Sequence, residues 1–236
     1  MSESFCGQWP DMEECSIIFV CDESRKEAHV ETVSTTKMGD KTRKKGALDN
    51  FTKYGYYKRT CGEIVHIPEV DKGSGYPVTR ILKSAFSYCH ELRLIYIPKT
   101  VKDIDWNNLG CESLEGIYVD AENPCFMDID GVLFTKDSKT IVAYPNRHGQ
   151  SYAIPDGVDK ISSFAFKGCC NLYELSIPDS VREIGNNAFY RCTSLQHIKL
   201  PNGVEKVGKY IDGEPKSEPR VTHRGKVYDS INDINL

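Results

Sequence analysis

The chain has 236 residues, a formal net charge of -4 and ten cysteines. That balance supplies no overall basic field of the kind nucleic-acid binders present, so nucleic acid is not an expected partner. No run approaches the roughly 18 apolar residues needed to span a bilayer, so no membrane insertion is expected.

Residues 1–60 are read as an N-terminal cap region, partly β. The opening Met1-Ser2-Glu3-Ser4 lacks the basic-then-apolar pattern of a secretory signal. As written, the chain is therefore expected to be cytoplasmic, with reduced cysteines. Residues 16–21 form a short apolar strand pattern, and 28–33 alternate like a half-buried strand. A basic cluster at 41–46 is read as a solvated loop, because no repeated aromatic platform accompanies it. The triplet Asn50-Phe51-Thr52 has glycosylation spacing, but without an export signal it carries no expectation.

From residue 61 to 208 the chain repeats itself. Ile154-Pro155-Asp156-Gly157-Val158 returns as Ile177-Pro178-Asp179-Ser180-Val181 and as Leu200-Pro201-Asn202-Gly203-Val204, a step of 23 residues each time. Ile161, Ala165-Phe166, Cys169, Leu172 and Leu175 move by the same 23 to Ile184, Ala188-Phe189, Cys192, Leu195 and Ile198. A fixed period of this size predicts a solenoid, in which one coil cannot bury its own apolar face and must stack on its neighbours.

Earlier coils depart from the period in readable ways. Between Ile67 and Ile97 lie seven surplus residues, placed in a Gly-, Ser- and Pro-bearing surface loop at 69–78. The next unit is one residue short, with Asn108-Leu109 where other units have Ala-Phe, which predicts a weaker turn there. Residues 120–152 break the period as an inserted β-hairpin, Val132-Leu133-Phe134 pairing with 140–144 around Asp137-Ser138-Lys139. The short connection from Tyr144 to Ile154 predicts that these neighbours pair antiparallel or leave the stack. Met127-Asp128-Ile129-Asp130-Gly131 resembles the start of a calcium loop but lacks the later Glu, so no calcium site is expected. Residues 209–236 are read as a C-terminal cap or tail, with a final hairpin around Gly225.

Cys89, Cys111, Cys169 and Cys192 occupy one slot of the repeat, where a small inward apolar group is needed and free Cys serves as one. Each unit closes with Leu-x-x-Leu-x-Leu spacing, the leucine-rich-repeat signature. The predicted fold is thus an α/β solenoid with a parallel β-sheet on the concave face. Its 23-residue coils carry short helical or 3-10 turns opposite, and a β-hairpin is inserted. Alternation along the strands places His66, Leu94, Tyr96, Tyr118, Glu174, Ser176, His197 and Lys199 on the open face. At a strand spacing of about 4.8 Å they form a column of roughly 25 to 30 Å, suited to an extended partner.

This pattern predicts a non-enzymatic protein-binding module without cofactor. The alternative is a structural repeat that serves oligomer assembly. A metal- or thiol-dependent enzyme is the remote third reading. Cys169-Cys170 and six scattered histidines offer no metal-ligand spacing, and no phosphate loop or nucleophile elbow occurs.

The combination Ile-Pro-x-x-Val-x-x-Ile-x-x-x-Ala-Phe-x-x-Cys-x-x-Leu, with the Asp130-Gly131-Val132-Leu133-Phe134 insertion ending in Tyr144-Pro145, resembles the BspA-like leucine-rich-repeat family over residues 61–208. The resemblance implies a curved solenoid in a surface or secreted protein that binds host or matrix proteins, and hence a role in adhesion. It carries no catalytic residue with it.

Overall fold

The structure, a computed structural model, describes residues 6–7, 15–22, 24–35, 63–83, 85–86, 89–106, 111–209 and 219–234. The basic cluster at 41–46, the Asn50 triplet and the Asn108-Leu109 turn lie outside them. Two strands, β2 (Cys15–Asp22) and β3 (Glu27–Thr35), form an antiparallel hairpin edged by β1 (Cys6–Gly7). The coils follow with β4 (Ile64–His66), β5 (Val78–Ile81), β6 (Leu94–Ile97), β7 (Asp103–Ile104) and β8 (Gly116–Val119). The insertion contains β9 (Phe126–Ile129), β10 (Val132–Thr135) and β11 (Thr140–Ala143). Regular coiling resumes with β12 (Ser151–Ala153), β13 (Lys160–Ile161), β14 (Glu174–Ser176), β15 (Glu183–Ile184), β16 (His197–Lys199) and β17 (Lys206–Val207). The final hairpin is β18 (Arg220–His223) and β19 (Lys226–Tyr228), with Arg224 and Gly225 both at positive φ in its turn.

Each coil contributes to two parallel ladders. The first is the expected one, with β4, β6 and β8 in one sheet, β12 and β14 in another, and β16 and β18 in a third. A second ladder joins β5 to β7, and β11 to β13, β15 and β17. Its strands are too short for alternation to be read from sequence. The N-terminal hairpin extends this second ladder, since β3 runs parallel to β5. The third side carries the Ala-Phe-x-x-Cys segments as turns of i to i+3 bonds, such as Ala165 N to Ser162 O and Cys169 N to Phe166 O, in place of helical turns. Ala brings coils close enough for backbone bonds between them, Phe166 N donating to Ala188 O at 2.9 Å. The only helix among the described residues is a 3-10 turn, Ile231–Asp233, capped by Ser230.

The inserted hairpin divides the interior. Along β10, Val132 and Phe134 are buried in the C-terminal core while Leu133 is buried in the N-terminal one. On β11, Ile141 joins the C-terminal core, and Val142 and Ala143 join the other. The hairpin is therefore a wall buried on both faces, and not a decoration on the stack. Because the wall lies across the stack, β11 and β12 do not pair with each other. Each finds a parallel partner in a different ladder. Asn123 pins the base of the insertion, its amide donating to the carbonyls of Pro98 and Val101 while its oxygen accepts from Cys125 N and Phe126 N. The tip is a two-residue turn with Asp130 at φ 50° and Gly131 at φ 79°, the Asp-Gly pair that a tight hairpin requires. That geometry accounts for the motif that resembles a calcium loop. The column of Phe rings is split in the same way: Tyr144 takes the Phe slot and stacks on Phe166 at 5.0 Å, and Phe166 meets Phe189 at 5.6 Å.

The cysteine slot has a polar reason as well as an apolar one. Cys111 donates to Phe86 O at 2.9 Å and Cys192 to Phe166 O at 3.0 Å, each reaching the aromatic position of the preceding coil. Burial pushes the Cys111 thiol up to about 12 and the Cys169 thiol well above its ordinary value. Alkylation of the folded protein should therefore label exposed Cys170 well before Cys111, Cys169 or Cys192. Equal rates by mass spectrometry would show that the slot is open. Cys89 departs from the expected free thiol and is disulfide-bonded. It belongs to the first coil.

The surplus loop at 69–78 folds around one carboxylate. Asp71 is fully buried and accepts from the Ser74 hydroxyl at 2.6 Å, Ser74 N at 3.0 Å, Gly73 N at 3.2 Å and the Cys21 thiol at 3.8 Å. Burial alone would raise its pKa, but the donors of Ser74, Gly73 and Cys21 outweigh that and hold it below 3.8. The folded value lies below the unfolded one, so this stabilisation is present above about pH 4 and is lost as pH falls through the folded value. Asp71→Ala is expected to cost about 2 kcal/mol at neutral pH, and the deficit relative to the parent should shrink in acid. Urea unfolding at two pH values checks it, a pH-independent deficit being the contrary result.

Candidate functional site

The first ladder has outward positions to present because its inward residues, Val65, Ile95, Ile117, Leu175 and Ile198, are all buried. Each of the eight positions expected on the open face is outward. His66 lies on β4, Leu94 and Tyr96 on β6, Tyr118 on β8, Glu174 and Ser176 on β14, and His197 and Lys199 on β16. Leu94 and Tyr96 are half-buried and the other six exposed.

They do not form one uniform column. In the N-terminal half, the parallel register sets His66 beside Tyr96 and Tyr96 beside Tyr118. The His66 and Tyr96 rings stack at 4.3 Å with planes 2° apart, and the Tyr96 and Tyr118 rings stack at 5.3 Å and 23°. Ile64, Leu94 and Gly116 are the remaining outward positions of these strands, so this half is apolar and aromatic. Tyr118 leans back over Gly116, where an added Cβ would stand 2.9 Å from the ring carbon Cε2. The glycine is thus required for the ring to lie along its strand.

Past Tyr118 the hairpin tip takes the place of the next strand. Ile117 N donates to Gly131 O at 2.8 Å, and Val119 N donates to the Asp128 carboxylate at 2.8 Å. Beyond it the surface changes character. Glu174 and Ser176 lie in register with Ser151 and Ala153, while His197 and Lys199 lie in register with Arg220 and Thr222. His197 Nε2 is 2.7 Å from the Thr222 hydroxyl. No ladder joins β14 to β16, so the expected column is made of three sheets and interrupted by the turn.

Charged residues border the aromatic strip, and alternation within strands does not reveal them. Arg93 forms a fork onto Glu115, at 2.9 Å from both Nε and Nη2, and reaches Glu63 at 3.2 Å. These bonds to Arg93 hold the Glu115 carboxyl below the ordinary carboxylate range, and they raise the guanidinium in turn. On the opposite border Lys99 meets Glu122 at 2.8 Å, which raises the Lys99 ammonium, with further charge from Glu69 and Asp120. The recurrence of Arg93 and Glu115 at corresponding positions of adjacent coils is the sequence signal that could have found the first border.

Among the described residues no group of three or more His, Cys, Asp or Glu side chains is placed to hold a metal ion. No described helix is long and apolar enough to cross a membrane. The arrangement is a surface with a stacked aromatic half and a polar half.

Comparison with known proteins bears on this arrangement. The family described as BspA type leucine rich repeat region matches residues 63–141 and 142–211, in six copies. No curated protein sequence matches the chain. A leucine-rich repeat protein from Eubacterium ventriosum is similar at 18% identity and TM-score 0.51, over 87% of this chain and 68% of that one. A leucine rich cell surface protein from Faecalibacterium prausnitzii is similar at 26% identity and TM-score 0.45, over 61% and 49%. The pneumococcal vaccine antigen PcpA is similar at 25% identity and TM-score 0.46, over 62% of this chain, which spans 47% of that structure.

Proposed function

Since the chain belongs to the BspA-type leucine-rich-repeat family, we propose that it is a non-enzymatic protein-binding module that presents the first ladder to a protein partner. The observation that carries this reading is the exposed stack of His66, Tyr96 and Tyr118. Aromatic side chains are enriched among interface anchors, and a ring already held by its neighbours loses little entropy on binding. The remaining open-face residues, Leu94, Glu174, Ser176, His197 and Lys199, supply the flanking contacts. Replacing Tyr96, Tyr118 and Lys199 together by Ala should abolish capture of the native partner while shifting thermal unfolding by only a few degrees. Undiminished capture by the triple variant would remove the ladder face from consideration.

A place at the cell surface or outside the cell, with a role in adhesion, is the finer reading. The disulfide at Cys89 supports it, since such bonds persist in oxidising compartments. Buried Cys111, Cys169 and Cys192 are compatible with that setting because their sulfurs are shielded. Thiol counting on non-reduced protein from the native host tests the location. Retention of the Cys89 disulfide supports an oxidising compartment, and a fully reduced chain contradicts it.

A further inference from the structure

The two halves of the ladder face differ in charge as well as in aromatic content. The outward residues of β4, β6 and β8 bear no carboxylate, ammonium or guanidinium group. The borders of this half carry carboxylates in excess. Glu63 and Glu115 share Arg93, with Arg147 adding positive charge near Glu115, and Lys99 pairs with Glu122 and feels the further charge of Glu69 and Asp120. Arg93 and Lys99 are already engaged, while the Glu63 and Glu122 side chains remain 66% and 73% exposed. The C-terminal half mixes signs, with Glu174 outward on β14, Lys199 on β16 and Arg220 on β18, the last 3.7 Å from the Asp229 carboxylate. The rings also limit what can bind. Tyr96 has one face against His66 and the other against Tyr118, so a sugar ring that needs a free aromatic face finds none there. What Tyr96 leaves open is ring edge, and beside it lie apolar strand surface and acceptor-only carboxylate, an environment for long side chains with an apolar stem and a cationic head.

We propose that the aromatic half of the ladder face takes an extended segment of a protein partner bearing lysine or arginine, with side-chain stems along the His66, Tyr96 and Tyr118 strip and cationic heads at the two carboxylate borders. The inference rests on the protein-binding reading above and names the chemistry of the partner. Complementary charge sets encounter rate and register. This segment lies along β4, β6 and β8, and the mixed-charge strands β14 and β16 are left to other parts of the partner.

The test uses the full chain and a fluorescein-labelled peptide of alternating arginine and glycine, with the glutamate-glycine peptide as control, read by fluorescence anisotropy. The arginine peptide should bind, weaken with added salt, and outcompete the glutamate peptide. The pair Glu63→Gln and Glu115→Gln, and separately the pair Tyr96→Leu and Tyr118→Leu, should each weaken binding about tenfold. Arg93→Gln should strengthen it about threefold, because it releases two carboxylates from their internal partner. That reversal of sign is not expected of purely apolar docking. Equal binding of the two peptides, or indifference to all of these substitutions in variants with parental unfolding curves, overturns the proposal. If the arginine peptide fails to bind while the Ala triple variant still loses the native partner, this inference falls and the protein-binding reading stands. If that triple variant also keeps its partner, both fall.

Discussion

Gly185→Ala should lower the stability of the solenoid by about 3 kcal/mol, at the upper end of the range for overpacking. An added Cβ at Gly185 would stand 2.7 Å from the carbonyl carbon of Ser162 and closer still to the amide nitrogen of Ser163. Those atoms are backbone of the preceding coil, and Gly185 N already donates to Ile161 O at 2.8 Å. The strain cannot be relieved by turning a side chain; the coils must part, and the β13–β15 pairing weakens with them. Gly203→Ala is the control. Its Cβ would stand 2.5 Å from Arg182 Nη1, the far end of a flexible and exposed side chain that can swing away. It should cost under about 1 kcal/mol, within the usual range for surface substitutions. Urea unfolding of the two variants separates the cases, and equal midpoints would show that contact with backbone is not what limits position 185. Gly208→Ala makes the same kind of contact, with Asn186, but just past β17, the last strand of its ladder, so a smaller loss is expected.

Phe134→Ala should cost about 4 kcal/mol, the range for deleting a fully buried Phe, and its effect should reach both halves of the molecule. Phe134 faces the C-terminal core, but β10 also carries Leu133 into the N-terminal core, so a wall loosened on one side is loosened on the other. Trp106 lies in the N-terminal core and reports that half. In a Trp9→Phe background, Phe134→Ala should shift the fluorescence transition of Trp106 to lower urea in step with the far-ultraviolet signal. A Trp106 transition left at the parental midpoint would show that the hairpin does not couple the halves. Leu133→Ala should behave in the same way from the other side, with a loss of about 3 kcal/mol. Nearest-neighbour coupling between coils is what a solenoid relies on, and here one inserted strand pair supplies it at the junction.

Several readings were available from residues alone, for identifiable reasons. The coil length follows from Ile154, Ile177 and Leu200, because identical inward slots must be refilled at each turn. Outward placement of His66, Tyr96 and Tyr118 follows from strand parity, which needs only one buried neighbour to anchor it. The closing hairpin at Gly225 was legible because a turn residue with positive φ sits between alternating segments. Gly185 and Gly208 carried a signal that went unread. They recur at the 23-residue step, and a glycine repeated inside a coil marks close approach of backbones.

Other features lay beyond the sequence. The second ladder uses two-residue strands such as Lys160–Ile161 and Glu183–Ile184, too short for any period to show. The disulfide of Cys89 could not be told from the thiols of Cys111 and Cys192, since all three occupy one slot of the repeat. The 69–78 insertion reads as a surface loop because Gly, Ser and Pro punctuate it, whereas buried Asp71 draws it into a tight fold.

The sequence by itself determined the coil, its inward residues and the parity of the open face. All of these are short-range consequences of a repeat that must bury one side. The tertiary structure alone decided that Asp128, Asp130 and Gly131 sit in the line of the first ladder, that β10 is shared by two cores, and that Arg93 is forked between Glu63 and Glu115. Those facts depend on which coils become neighbours after an insertion breaks the period. Adjacency between segments 20 to 30 residues apart is set by packing, with no local pattern that records it.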